Sequence, residues 1–222
     1  MRFRIRWAGF DLYFCNQCKN RLIMSNSQME KDPVREDILN GARELFRRFG
    51  YKKTTMEDIA RQIGKSKSAL YYYYKTKEEI FEAVLLHDMD TQRLRAEQEV
   101  EKVEPAAEKF RVFFVSILGN LREKANEFTI FRADFQEDPL FIMNISRQRD
   151  SYLEEYLKNI LIWGISRGEV KVLTNAEMEV WARMMNWTMR TIGGKLFMED
   201  GHAHLHEHLA FMADSLFSGV AR

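Results

Sequence analysis

Cysteine is almost missing from this chain: two residues, Cys15 and Cys18, stand in 222. They form a lone CxxC with neither a second CxxC nor a histidine at ligand spacing. A closed four-ligand zinc site and a disulfide framework are therefore both unsupported, and the cysteine-free remainder suits a reducing cytoplasm. Proline is also rare, at three residues, and glycine modest, at eleven, which favours helices over turn-rich β architecture. Nor is there an apolar run near the ~20 residues that a membrane-spanning helix needs, so no membrane partner is expected. The opening segment, MRFRIRWAGFDLYF, is interrupted by Arg6 and Asp11 and lacks a clear cleavage site, so it reads as neither signal nor span.

What is present is ordinary in amount and uneven in placement. With 45% apolar and 30% charged residues the chain can bury a core. Its net charge of +1 is a cancellation. Residues 1–30 hold five basic and two acidic residues (+3), residues 31–80 twelve and eight (+4), and residues 81–222 seventeen and twenty-three (−6). This division, with the polar stretch around Met24 and Met29, predicts an N-terminal extension over 1–30 outside the core fold, a small basic domain over 31–80 and a larger acidic one over 81–222.

From Asp32 the helix signals are dense. Asp32 is placed to cap a helix with Pro33 at its first position, and Ile38, Ala42, Leu45, Phe46 and Phe49 recur at the spacing of one face before Gly50. Thr55 and Asp58 form a capping-box variant ahead of Met56, Ile59, Ala60 and Ile63, and Gly64 ends that short helix. Ser66 caps a third helix, Lys67 to about Tyr74, in which Leu70 and Tyr74 face inward. Thr76 and Glu79 predict another capping box, opening a long helix that ends before Pro105. Further helices are expected near 106–124, 126–136, 140–166, 176–199 and 203–218. The fold class is all-α.

Two short helices across a glycine turn, the second beginning Lys-Ser and presenting polar and aromatic side chains, match a helix-turn-helix. The major groove, ~12 Å wide, admits one helix, and lysine, serine and tyrosine can donate to phosphate oxygens or base edges. The local +4 charge adds attraction that is independent of sequence.

The tract GYKKTTMEDIARQIGKSKSALYYYYKTKEEI, residues 50–80, resembles the signature of the TetR family of bacterial transcriptional regulators. The shared features are the G-Y-x-x-T-T entry, the D-I-A core, the G-x-S turn, the L-Y pair and the K-x-K-E-E entry to the fourth helix. Lys65, where the family often has an apolar residue, and the run Tyr72-Tyr73-Tyr74 depart from it. The resemblance implies that Thr55 bonds a phosphate, that Lys67, Ser68 and Ala69 face base edges with Tyr72 at the groove margin, and that Tyr71, Tyr73 and Lys77 hold phosphates. Arg61 is a weaker phosphate candidate.

The resemblance further implies that the helices beyond residue 80 sense a small effector and dimerise through the last two. Those helices carry more apolar residues than one buried face needs. Phe113, Phe114, Phe128, Phe131, Phe135, Met143, Trp163 and Trp187 are candidates for lining an effector pocket, with Arg132 and Arg147 near apolar faces. For any one of them a plain core role competes. The expected protein is a cytoplasmic homodimer on a pseudo-palindromic double-stranded operator, a repressor released by a ligand, with no cofactor and no catalytic role.

Rival signals remain beside this reading. Gly164-Ile-Ser-Arg-Gly168 matches G-x-S-x-G, but a nucleophile elbow requires a strand before the serine, and Ser151 to Ile165 reads as helix. His202, His204, His206 and His208 include two i, i+4 pairs, a spacing that can hold a metal on an α-helix. The competing class is therefore an all-helical small-molecule or metal-binding protein without a DNA role.

Overall fold

The computed structural model describes residues 3–7, 10–14, 32–127, 133, 144–145 and 147–222. Near the N-terminus, β1 (Phe3–Trp7) and β2 (Phe10–Phe14) pair antiparallel, with Phe3 opposite Phe14 and Trp7 opposite Phe10. From residue 32 the described chain is helical, save one isolated bridge between Val170 and Ala221.

Helix α1 (Pro33–Phe49) begins where Asp32 accepts the Val34 N–H at 2.9 Å, and ends at Gly50, whose φ of 83° suits glycine. Its buried face is Ile38, Leu39, Ala42, Leu45 and Phe46. Phe49 departs from the expected face: at the last position of the helix it lies exposed beneath the Arg48 guanidinium, 5.0 Å from its ring. Helix α2 (Met56–Gln62) starts from the predicted Thr55–Asp58 capping box and turns at Gly64, φ 65°. Helix α3 (Lys67–Tyr73) starts at Ser66, whose hydroxyl accepts the Ala69 N–H. Helix α4 (Lys77–Val100) is capped by Thr76, but Glu79 reaches the N–H of Lys75 at 2.6 Å, one residue ahead of the expected position.

These four helices enclose one core, with Ile59, Leu70, Ile80 and Phe81 almost wholly buried, and Phe46 meeting Phe81 edge-on at 5.6 Å. Gly41 lets α1 close on the turn after α2; a Cβ there would fall 2.5 Å from Ile63 Cγ2.

The second core takes Ala96 and Val100 from the far end of α4. It adds Phe110, Phe113, Phe114 and Leu118 from α5 (Ala106–Gly119), and Leu157, Ile160 and Leu161 from α7 (Asp150–Ser166). Helix α8 (Asn175–Met198) and helix α9 (Leu209–Ser218) close it with Trp181, Met185, Met189, Leu209, Ala213 and Phe217. Helix α4 thus belongs to both cores. Ile145, Phe197 and Met198, from the C-terminal half of the chain, reach back to the first core.

Three helix limits differ from expectation. The helix expected over 106–124 stops at Gly119 and resumes as α6 (Leu121–Glu127). The carbonyls exposed at that break find outside partners: the Gln92 amide donates to Ser116 O and Ile117 O, and His206 Nε2 lies 2.6 Å from Gly119 O. Gln148 and Arg149 form a turn ahead of α7, while 140–143 lie outside the described residues. The segment expected as helix from 203 begins as a 3-10 helix, Asp200–His208, and becomes α9 only at Leu209.

Candidate nucleic-acid interface

The turn between α2 and α3 presents most of the predicted contact residues on one face, and each has a definite setting. Thr55 is exposed, but its hydroxyl and backbone N–H both donate to Asp58 Oδ2, at 2.7 and 3.1 Å. These bonds hold the Asp58 carboxyl below the usual carboxylate range, with Arg61 assisting. Ser68 is exposed on α3 and Ala69 half-buried beside it. Tyr72 stands out at 78% exposure, its ring edge-on to Tyr73 at 5.2 Å, an aromatic surface available to a groove.

Tyr71 and Tyr73 are partly buried against the first core. Burial and a hydrogen bond to the Asp32 carboxylate push the Tyr73 hydroxyl above its ordinary pKa, which ties α3 to the start of α1. Lys67 is exposed and paired with Glu57 of α2, while the Tyr71 ring lies 5.7 Å from its Nζ. That pairing lowers the Glu57 pKa and raises that of Lys67. Lys77 sits differently from the rest. Its Nζ donates to Tyr51 O at 2.8 Å and Thr54 O at 2.9 Å, so it fastens the loop before α2 to the start of α4.

Thr55, Lys67, Ser68, Ala69 and Tyr72 therefore gather at the α2–α3 face, whereas Lys77 points into the 51–54 loop. Sequence reasoning missed Glu57, which at ten residues from Lys67 has no periodic signal linking the two. It also missed the cleft between the end of α1 and α2, where Arg48 and Lys53 accompany Arg61.

The predicted pocket residues divide. Phe113 and Phe114 are wholly buried, with Phe113 packed on Tyr156 at 4.6 Å. Trp163 is 39% exposed, donates to Glu104 O, and lies between Lys109 and Arg167; Trp187 is 53% exposed on α8. Neither tryptophan joins the two phenylalanines inside the domain. Phe128, Phe131, Phe135, Met143 and Arg132 lie outside the described residues, and Arg147 is exposed.

Near Phe113 and Tyr156 runs a band of half-buried polar pairs. Arg149 grips Asp90 of α4, Arg93 meets Glu97 and lies 4.3 Å from the Tyr152 ring, and Asp150 receives Asn186 Nδ2 at 2.9 Å and Arg190 at 2.8 Å. Burial and the Glu97 carboxylate push the Tyr152 hydroxyl up to about 12.

The rival motifs have structural accounts. Gly164 admits Val170, whose Cγ2 would be 2.4 Å from an added Cβ, and Gly168 takes φ 74° at the helix exit. Between them the Ser166 hydroxyl donates to Trp163 O. His204 and His208 lie on a 3-10 helix, which aligns i with i+3 and so removes the i, i+4 stacking. Among the described residues no three His, Cys, Asp or Glu side chains form a metal-holding group, and no helix is long and apolar enough to cross a membrane.

Known proteins resemble this chain in sequence and in fold. Residues 38–84 match the family described as "Bacterial regulatory proteins, tetR family". The regulator YhgD of Bacillus subtilis is 25% identical over 134 residues, covering 60% of this chain and 70% of YhgD. UidR of Escherichia coli is 32% identical over 81 residues, covering 36% of this chain and only 41% of UidR. In fold, the chain resembles the regulator FadR of Bacillus subtilis, solved with stearoyl-CoA: the TM-score is 0.61, with 22% identity, 83% of this chain and 98% of FadR covered. With its capped helix-turn-helix, its shared α4 and its second helical core, this chain is a DNA-binding transcriptional regulator whose residues 38–84 resemble the helix-turn-helix domain of the tetR family.

Proposed function

We propose that the protein is a cytoplasmic, homodimeric repressor that leaves a pseudo-palindromic operator when a small molecule enters its C-terminal domain. The observation that carries this reading is the sharing of packing between the domains. Ile145, Phe197 and Met198 lie against the DNA-binding core, and Arg149 and Gln148 bond Asp90 and Glu82 of α4. Any change that repacks the second core also moves the helix that carries the first. A ligand favouring a different packing weakens operator affinity by the difference in its own affinity for the two states.

Dimerisation is supported by an apolar stripe facing away from the core. Val180, Met184 and Trp187, at i, i+4 and i+7 of α8, are each more than half exposed, and Phe211 of α9 is 70% exposed. Burying this stripe against its copy would set two α3 helices for half-sites ~34–36 Å apart. Phe113 and the polar band around Asp150 and Arg190 are the proposed surroundings of the effector. FadR, similar in fold, was solved with stearoyl-CoA, which supports a ligand-holding role for this architecture. We assign 31–80 to DNA binding, 81–222 to sensing and dimerisation, and 1–30 to an extension outside the core fold.

A gel shift with the duplex immediately upstream of the protein's own coding sequence tests the reading. At low salt and without effector it should give a retarded band containing two copies of the chain. Its absence would overturn operator binding; a band containing one copy would overturn the dimer.

A further inference from the structure

Two acidic side chains stand in the first turn of α2, on the face that must approach a polyanion, and they are engaged differently. Asp58 is committed within its own helix start, to Thr55 and Arg61. Glu57 pairs across the turn with Lys67, the first residue of α3, and both side chains keep about half their exposure, at 55% and 49%. A lysine there sits at the positive end of a helix dipole, and α3 has no acidic residue in its first turn to offset it. Glu57 supplies that charge from the neighbouring helix, and the Tyr71 ring, one turn along α3, has its centroid 5.7 Å from the same ammonium.

We infer that Glu57 is a specificity-determining residue, which positions Lys67 for a neutral base edge and penalises its capture by phosphate. This rests on α3 entering the major groove. An ammonium has three donors, so Lys67 can keep Glu57 and still donate to guanine O6 or N7. The guanine edge carries no net charge, and the carboxylate beside it is tolerated. A phosphate is an anion: drawing Lys67 onto it strips Glu57 of its partner and sets two negative charges side by side. The penalty falls on duplexes that offer Lys67 only phosphates, so Glu57 widens the gap between matched and unmatched DNA.

The test compares a duplex enriched by the wild-type protein from a random library with an unrelated duplex of equal length. Binding is titrated against salt for wild type, Glu57→Gln, Lys67→Met and the double variant. Glu57→Gln should tighten the unrelated duplex about tenfold and steepen its salt dependence by about 1 in the log–log slope per subunit, as a freed lysine meets phosphate. The enriched duplex should change by less than about threefold, so the specificity ratio falls. In the Lys67→Met background the same change should shift both duplexes equally. Equal shifts on both duplexes with Lys67 present, or a differential that survives without it, would overturn the inference alone. Failure of the wild type to enrich any sequence would overturn base reading by α3, and this inference with it.

Discussion

The ammonium of Lys77 lies 4.2 Å above the Tyr51 ring and closes the loop that leads into α2 through the carbonyls of Tyr51 and Thr54. The Tyr51 hydroxyl in turn donates to Glu78 at 2.5 Å. Two consecutive residues at the start of α4 thus hold one loop, so a phosphate would have to compete with that loop for Lys77.

Lys77→Met is expected to cost about 1.5–3 kcal/mol, the range for a hydrogen-bonded charged group. Urea denaturation checks this, with a gel shift alongside. An unchanged midpoint with weaker DNA binding and a shallower salt dependence would instead make Lys77 a phosphate ligand.

Gly164→Ala is expected to destabilise the second core by about 1–3 kcal/mol, because the new methyl meets Val170 and Ala106, at 2.4 and 2.7 Å, in a packed site. Ser166→Ala, between the two glycines and exposed, should stay within about 0.5 kcal/mol of wild type. Thermal melting of the two variants side by side separates a packing glycine from a catalytic motif.

Met184→Glu with Trp187→Glu should yield a monomer at micromolar concentration, seen by sedimentation velocity, since both side chains are half-exposed on the α8 stripe. Operator affinity should fall by at least about tenfold as two linked half-site contacts become independent. An intact dimer would send the interface elsewhere.

Stability should fall with alkali before ordinary lysines titrate fully. Tyr152 is pushed from 10.0 to about 12, and burial raises Tyr156 and Tyr51 as well. A folded protein that keeps phenolic protons the unfolded chain has released binds more protons, so its stability declines as pH rises, here across the window from 10 to about 12. Tyr152→Phe should flatten part of that decline in melting temperature against pH. A slope equal to that of the wild type would refute the assignment.

The legible parts of this molecule were those written in local chemistry. Caps at Asp32, Thr55, Ser66 and Thr76, and the glycines at 50 and 64, mark helix ends because each feature acts within four residues of itself. The alternation Phe3-Arg4-Ile5-Arg6-Trp7 is likewise a local signal, and it forms a strand. What escaped depends on distant partners. The break at Asn120 is stabilised by Gln92 and His206, twenty-eight residues before and eighty-six after it. The Glu57–Lys67 pair and the hold of Lys77 on its loop are likewise products of packing. Trp163 and Trp187 illustrate the opposite error: an aromatic in a helical pattern suggests an interior, while here one lies between surface cations and the other on an outward stripe.

Because α4 has one end in each core, its length becomes a mechanical ratio. Twenty-four residues make a rod of about 36 Å at 1.5 Å each, so a tilt of about 5° about the end in the second core carries the other end roughly 3 Å. Displacements of that size exceed the tolerance of a hydrogen bond to a base edge. If the proposed effector binds beside Asp90 and Arg93, a tilt of that size would displace α3 from a groove with no bend in α4.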